Sequence, residues 1–179
     1  SSVYEDTILT TADWNTAAGE LRLHPQGLVT VGSLVVAGEA YATAWKDNTI
    51  LLAAGSSNAL LFINASDPTN PTLVKTLSMP AFARHVTVNG DWAYVSLGNG
   101  LGIQTVNVAN IALPTNGFRA TLDGFTSQTV VANNWAYAVV SNAGVGVVEV
   151  SDPANPVVLP SVNLAAWVRG VDVQGSYLY

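Results

Sequence analysis

Asp91-Trp92-Ala93-Tyr94 returns as Asn134-Trp135-Ala136-Tyr137, and these two stretches decide the fold. Asn48-Thr49-Ile50-Leu51 echoes them upstream and Ser176-Tyr177-Leu178-Tyr179 downstream, so the starts at 48, 91, 134 and 176 are spaced 43, 43 and 42. A second marker keeps step with the first. Ser66-Asp67-Pro68-Thr69-Asn70-Pro71 returns as Ser151-Asp152-Pro153-Ala154-Asn155-Pro156, with a degenerate copy from Ala109 to Pro114 between them. Two markers in register define a repeat. A repeat of about 40–45 residues made of short strands predicts the blades of a β-propeller.

Inside each repeat, runs rich in Val, Ile, Thr, Tyr and Trp alternate with Gly, Asn, Asp and Pro, the pattern of strands joined by tight turns. No apolar spacing of 3.6 residues reaches helical length. The clearest unit predicts strands at Arg84–Val88, Trp92–Leu97, Leu101–Val108 and Phe118–Leu122. The preceding unit predicts Tyr41–Lys46, Thr49–Ala54, Ala59–Asn64 and Thr72–Leu77. The following one predicts Thr129–Asn133, Trp135–Val140, Val145–Val150 and Val157–Val162. Four antiparallel strands per repeat make one propeller blade. The fold expected is all-β, with about three and a half blades at about 40–80, 81–125, 126–164 and an incomplete 165–179.

Residues 1–26 fall outside the repeat and read as a polar lead-in arm with a short strand near Leu21–Leu23. Residues 27–36 match the fourth strand of a repeat, a candidate ring-closing strand. The chain stops within the second strand of its fourth repeat, which favours a fragment of a longer propeller over a set of copies that closes the surface. An open arc would expose strand edges, which natural proteins avoid.

The Ser-Asp-Pro corners have a mechanism. Proline cannot donate to a ladder and so ends the third strand, while Asp67 and Asp152 can accept backbone amides in an Asx turn. Calcium ligation by these two carboxylates is disfavoured because calcium takes six or more oxygens and no acidic cluster accompanies either. Asn64-Ala65-Ser66 fits a glycosylation sequon, but its position reads as a strand-end turn.

Composition narrows the function. Hydrophobic residues make up 49% of the 179, and charged ones 10%, against about 25% in ordinary soluble domains. No stretch approaches the roughly 20 apolar residues of a membrane helix, and the turns and period fit a membrane β-barrel poorly. A net charge of −6 argues against nucleic acid, which requires a basic stripe. With no cysteine there is no disulfide framework. The start Ser1-Ser2-Val3 lacks a basic leader, so an exported protein would have lost its signal peptide.

The repeats resemble the LVIVD-repeat β-propeller family of secreted bacterial and archaeal proteins. The likeness rests on Phe82-Ala83-Arg84-His85-Val86-Thr87-Val88, Trp92-Ala93-Tyr94-Val95-Ser96, Gly100-Leu101-Gly102-Ile103-Gln104-Thr105-Val106 and Gly146-Val147-Val148-Glu149-Val150-Ser151-Asp152-Pro153. It covers about residues 27–179. The resemblance implies a secreted or surface protein and carries no shared catalytic set. Ala109 and Asn110 depart from the Ser-Asp of the pattern, which puts the corner geometry there in question.

Propeller ligands usually sit at one mouth of the central channel. Aligning the repeats places Tyr41, Arg84, Ser127 and Arg169 at one equivalent position, with Glu39, Phe82, Phe125 and Trp167 two residues earlier. Two arginines at one repeat position stand out among six basic residues. With Tyr41, Phe82, Phe125, Ser127 and Trp167 they make a candidate aromatic-lined site for an anionic or carbohydrate ligand, since Arg pairs carboxylates bidentately and stacks on rings. The competing reading has each Arg bonding carbonyls between blades. His85 is a candidate general base, though a lone His more often serves structure; His24 has less to recommend it. Trp92, Tyr94, Trp135 and Tyr137 read as inter-blade packing.

The function expected is a binding or scaffold module, exported or at the cell surface, without catalysis, metal or cofactor. Its partners would be protein or carbohydrate, not nucleic acid. One alternative is a self-assembling subunit of an extracellular filament or surface layer. Another is a fragment of a propeller hydrolase or lyase with its site on absent blades.

Overall fold

The computed structural model describes residues 9–15, 20–25, 31–141, 143–164 and 167–179. The chain divides into two compact units, Ser1–Ser33 and Leu34–Tyr179. In the first, β1 (Leu9–Asn15) pairs antiparallel with β2 (Glu20–Pro25), which contains the short strand expected near Leu21–Leu23. The side chains of residues 1–30, His24 included, lie outside the described residues, as do 27–30 of the candidate closing strand.

The second unit is built from the repeats. The first blade orders β3 (Ala40–Lys46), β4 (Thr49–Ala54), β5 (Ala59–Asn64) and β6 (Thr72–Ser78) as one antiparallel sheet. The second contains β7 (Ala83–Asn89), β8 (Trp92–Leu97), β9 (Gly102–Asn107) and β10 (Thr115–Ala120). The third contains β11 (Thr126–Ala132), β12 (Trp135–Val140), β13 (Gly144–Glu149) and β14 (Val157–Val162). A hairpin of β15 (Val173–Gln174) and β16 (Tyr177–Leu178) begins a fourth. These are propeller blades, and the inner strands β3, β7 and β11 lie side by side. Among the described residues no helix is long and apolar enough to cross a membrane.

The blades hold together through their faces. Side chains alternate across a strand, so Leu51 and Ala53 of β4 meet Ala83, Val86 and Val95 of the second blade in one buried cluster. One repeat later, Tyr94 and Ile103 meet Ala136, Ala138 and Val148 of the third. Burying a side chain of this size contributes about 1.5–3 kcal/mol, so these seams, rather than the edges, stabilise the row. Small residues at 53, 83, 93, 136 and 138 let the sheets approach closely.

The strands that differ most from expectation are β10 and β11, the latter starting at Thr126 rather than Thr129. β10 spans Thr115–Ala120, three residues earlier at its start than Phe118–Leu122, with its register shifted between Asn116 and Arg119. β10 is an edge strand whose side chains are mostly exposed, so no apolar alternation marks its start. Residues 31–36 join no ladder. Leu34 and Val36 instead pack on Leu52, Ala54 and Leu61, the face of the first blade away from the second.

The Ser-Asp-Pro corners form as Asx turns. Asp67 Oδ1 accepts the Thr69 amide at 2.9 Å and its hydroxyl at 2.6 Å. Asp152 Oδ1 accepts the Ala154 amide at 3.0 Å. The degenerate copy keeps this geometry: Asn110 Oδ1 accepts the Ala112 amide at 3.1 Å, because an amide oxygen replaces a carboxylate oxygen as acceptor. Asn64 Oδ1 accepts the Ser66 amide at 2.9 Å, closing the strand-end turn read there.

Candidate functional site at one end of the inner strands

The same backbone bond recurs where each inner strand begins. Gly55 donates its amide to Glu39 O at 3.0 Å, Gly98 to Phe82 O at 2.9 Å and Ser141 to Phe125 O at 2.9 Å. Each bond ties the entry of a first strand to the exit of its neighbouring second strand. It fixes the residues at 39, 82 and 125 and, two places on, those at 41, 84 and 127. The glycines are required by space as well. A Cβ on Gly55 would lie 2.6 Å from both the Tyr41 and Phe82 rings, and one on Gly98 would lie 3.0 Å from the Phe125 ring.

On this frame the structure gathers Tyr41, Phe82, Arg84 and Phe125 from three blades. Tyr41 and Phe82 meet edge to face with centroids 5.0 Å apart. The Arg84 guanidinium carbon lies 4.4 Å from the Tyr41 centroid and 5.9 Å from that of Phe125, within the cation–π range of about 6 Å. The arginine thus stacks on rings of both neighbouring blades, an arrangement different from the carbonyl-bonded reading. Tyr41 donates its hydroxyl to Glu39 Oε2 at 2.7 Å. That bond, with smaller contributions from desolvation and the glutamate charge, raises the phenol above its ordinary range against the opposing pull of Arg84. Tyr41 remains 38% exposed and Phe125 37%.

Arg169 and Trp167 stand apart from this group. Arg169 lies over Trp167 of its own blade at 6.0 Å, and the Trp167 side chain is 65% exposed. Ser127, half-buried, occupies the equivalent place on the intervening blade. Gln128 registers that seam: its Nε2 donates to Val171 O at 3.2 Å and its Oε1 accepts the Val171 amide at 3.2 Å.

His85 occupies the same repeat position as Gln128 and has the same partner one blade earlier. Its Nδ1 accepts the Thr129 amide at 3.5 Å. Burial holds the imidazole below its ordinary pKa. Beside it, Ser96 Oγ and Thr129 Oγ1 share a buried hydrogen bond of 2.8 Å. These polar latches between inner strands were not legible in the sequence, because the 43-residue offset joins unlike residues. Thr126, adjacent to Phe125, buries a hydroxyl with no partner among the described residues.

The aromatic residues of the second strands divide. Tyr94 is buried between the second and third blades, with Trp92 packed at its rim. Tyr137 packs on Val139, Val145 and, from the next repeat, Val171, and with Trp135 it lines a cavity of about 160 Å³ shared with Val173, Tyr177 and Leu178. Trp135 is only half-buried there. Among the described residues no three metal-ligating side chains gather on one point.

Residues 82–116 and 123–163 match the LVIVD repeat. No curated protein is significantly similar to the chain in sequence. Among solved structures, the computationally designed Ika4 protein is similar with a TM-score of 0.65, 8% identity, and coverage of 86% of this chain and 91% of that one. The computationally designed Ika8 protein gives 0.59 and 8%, covering 78% of this chain and 41% of its own. A protein from Lactobacillus plantarum gives 0.61 and 12%, covering 86% and 48%. The chain spans less than half of these last two. Identities this low speak to the fold alone.

Proposed function

We propose that this chain of LVIVD repeats is a β-propeller binding module without chemistry of its own, which takes an anionic or carbohydrate ligand at the mouth formed by Tyr41, Phe82, Arg84 and Phe125. The observation that carries this is the position of Arg84. Its guanidinium is held over Tyr41 at 4.4 Å and Phe125 at 5.9 Å, while both aromatic residues are exposed. Contact with the rings positions the guanidinium, whose edge N–H groups can donate to a carboxylate or phosphate. Exposed aromatic faces beside a fixed cation are what a ligand with one apolar face and one anionic group needs.

His85 does not favour a hydrolytic reading, because its Nδ1 is engaged by the Thr129 amide and burial disfavours its charged form. An exported or surface location fits the acidic, cysteine-free composition, and fractionation of the source cells tests it. Binding is tested by screening the folded protein against immobilised glycans and acidic peptides, beside Arg84→Ala and Phe125→Ala. Loss of the captured ligand in both variants supports the mouth. Equal capture by all three proteins rejects it.

A second reading, self-assembly, is favoured by the outer strands. Leu73, Val74, Phe118, Val157 and Val158 are exposed on β6, β10 and β14, whose outer edges have no partner strand in their sheets. Light scattering across micromolar concentrations decides this: a constant monomer mass rejects it.

A further inference from the structure

The four equivalent positions of the mouth are not chemically alike, and their order is informative. Arg84 leans back on the ring at the preceding position, Tyr41. Arg169 follows Ser127, which offers no ring, and its guanidinium lies instead 6.0 Å from the ring of Trp167, two residues before it. The Gln128–Val171 bonds hold the run that follows Arg169 beside the strand that carries Ser127. Ser127 therefore stands between the strand that bears Arg84 and the run that bears Arg169, with the smallest side chain of the four.

Among the described residues the guanidinium groups of Arg84 and Arg169 form no ion pair, and the ion pair present, Lys46–Asp91, lies at the other end of the inner strands. Glu39, the carboxylate on this rim, is engaged by the Tyr41 hydroxyl. Two arginines flanking a small residue suit one carboxylate, which each can grip through parallel N–H bonds. The rings that flank the same position, Phe125 and Trp167, are exposed and offer flat apolar faces. Inorganic phosphate would satisfy the arginines but leave the rings wet. A neutral sugar would cover a ring but leave both cations unanswered.

We infer that the notch at Ser127 seats an acidic pyranose, a uronic acid unit of a polysaccharide, with its carboxylate toward Arg84 and Arg169 and its C–H face on Phe125 or Trp167. This rests on the binding reading above and adds to it the class of ligand.

The test is calorimetry with a galacturonate oligosaccharide, a neutral galactose oligosaccharide of equal length, and inorganic phosphate. The acidic oligosaccharide should bind at least tenfold more tightly than either of the others. Arg84→Gln and Arg169→Gln should each weaken it about tenfold, and Ser127→Arg, which fills the notch, should abolish it. Urea melts of the variants verify that each is folded. Equal affinity for the acidic and neutral oligosaccharides, phosphate binding as tight as either, or full binding by Ser127→Arg overturns the inference. If a ligand is nevertheless lost in Arg84→Ala and Phe125→Ala, the binding reading survives that failure. Absence of binding by the acidic oligosaccharide overturns the acidic-sugar assignment, and the glycan and peptide screen then decides the mouth by itself.

Discussion

Arg84, from the second blade, lies with its guanidinium carbon 4.4 Å from the centre of the Tyr41 ring of the first. The two blades are thus joined at the mouth by an aromatic–cation contact as well as by the apolar seam beneath it. Both side chains are partly exposed, so the contact is worth about 0.5–1 kcal/mol. Tyr41→Leu and Arg84→Ala should each lower stability in urea by about that amount, and the double variant by less than the sum. Strict additivity would mean that the two side chains do not interact in solution.

Tyr94 and Trp135 are predicted to differ although they sit on equivalent strands. Tyr94 is buried between two blades, so Tyr94→Ala should cost about 3–5 kcal/mol through the cavity it leaves. Trp135 is half-buried beside a short hairpin, so Trp135→Ala should cost about 1–2 kcal/mol. Equal costs in chemical denaturation would contradict the packing described.

The corner of the third blade should accept an amide in place of its carboxylate only in part. Asn110 already makes the Asx turn at the degenerate corner, but Asp152 Oδ2 also accepts the Asn155 side-chain amide at 2.7 Å, and an amide nitrogen cannot accept. Asp152→Asn is therefore expected to cost about 0.5–1 kcal/mol and Asp152→Ala about 1–2 kcal/mol, one hydrogen bond lost against two. Melting curves of the two variants discriminate.

Stability should fall on mild acidification through His85. Its folded pKa is depressed by burial, so the unfolded chain takes up the proton first. The contribution of neutral His85 is fully present above about pH 6.5, the ordinary value, and declines as pH drops from there to the folded value. His85→Gln, which imitates Gln128, should flatten urea midpoints measured between pH 7 and 5. An unchanged slope in that variant would assign the effect elsewhere. Asp67 acts in a lower window. The Thr69 hydroxyl, then the Thr69 amide, hold its carboxylate below the ordinary range, so its contribution is present above about pH 3.9 and is lost as pH falls through the folded value.

The buried hydroxyl of Thr126 has no partner among the described residues. Thr126→Val keeps the shape and removes a desolvated polar group, so stability should rise by up to about 1 kcal/mol. A loss of more than that would reveal a hydrogen bond to the hydroxyl.

The sequence by itself determined the blades. β4, β5, β8 and β12 fall on the residues expected of them, because a strand buried on both faces is an apolar run that Gly, Asn and Pro must end. It also determined that 41, 84, 127 and 169 share one position, since equivalence needs only the period. What it left open were features that depend on how blades lean on one another. The start of β10 was misjudged because an exposed edge strand carries no alternation. The stacking of Arg84 between Tyr41 and Phe125, the latches from His85 and Gln128, and the half-exposure of Trp135 were decided only by tertiary structure. Each joins residues one repeat or more apart in the chain, and short-range pattern reports which face a side chain takes but not what it meets across the seam.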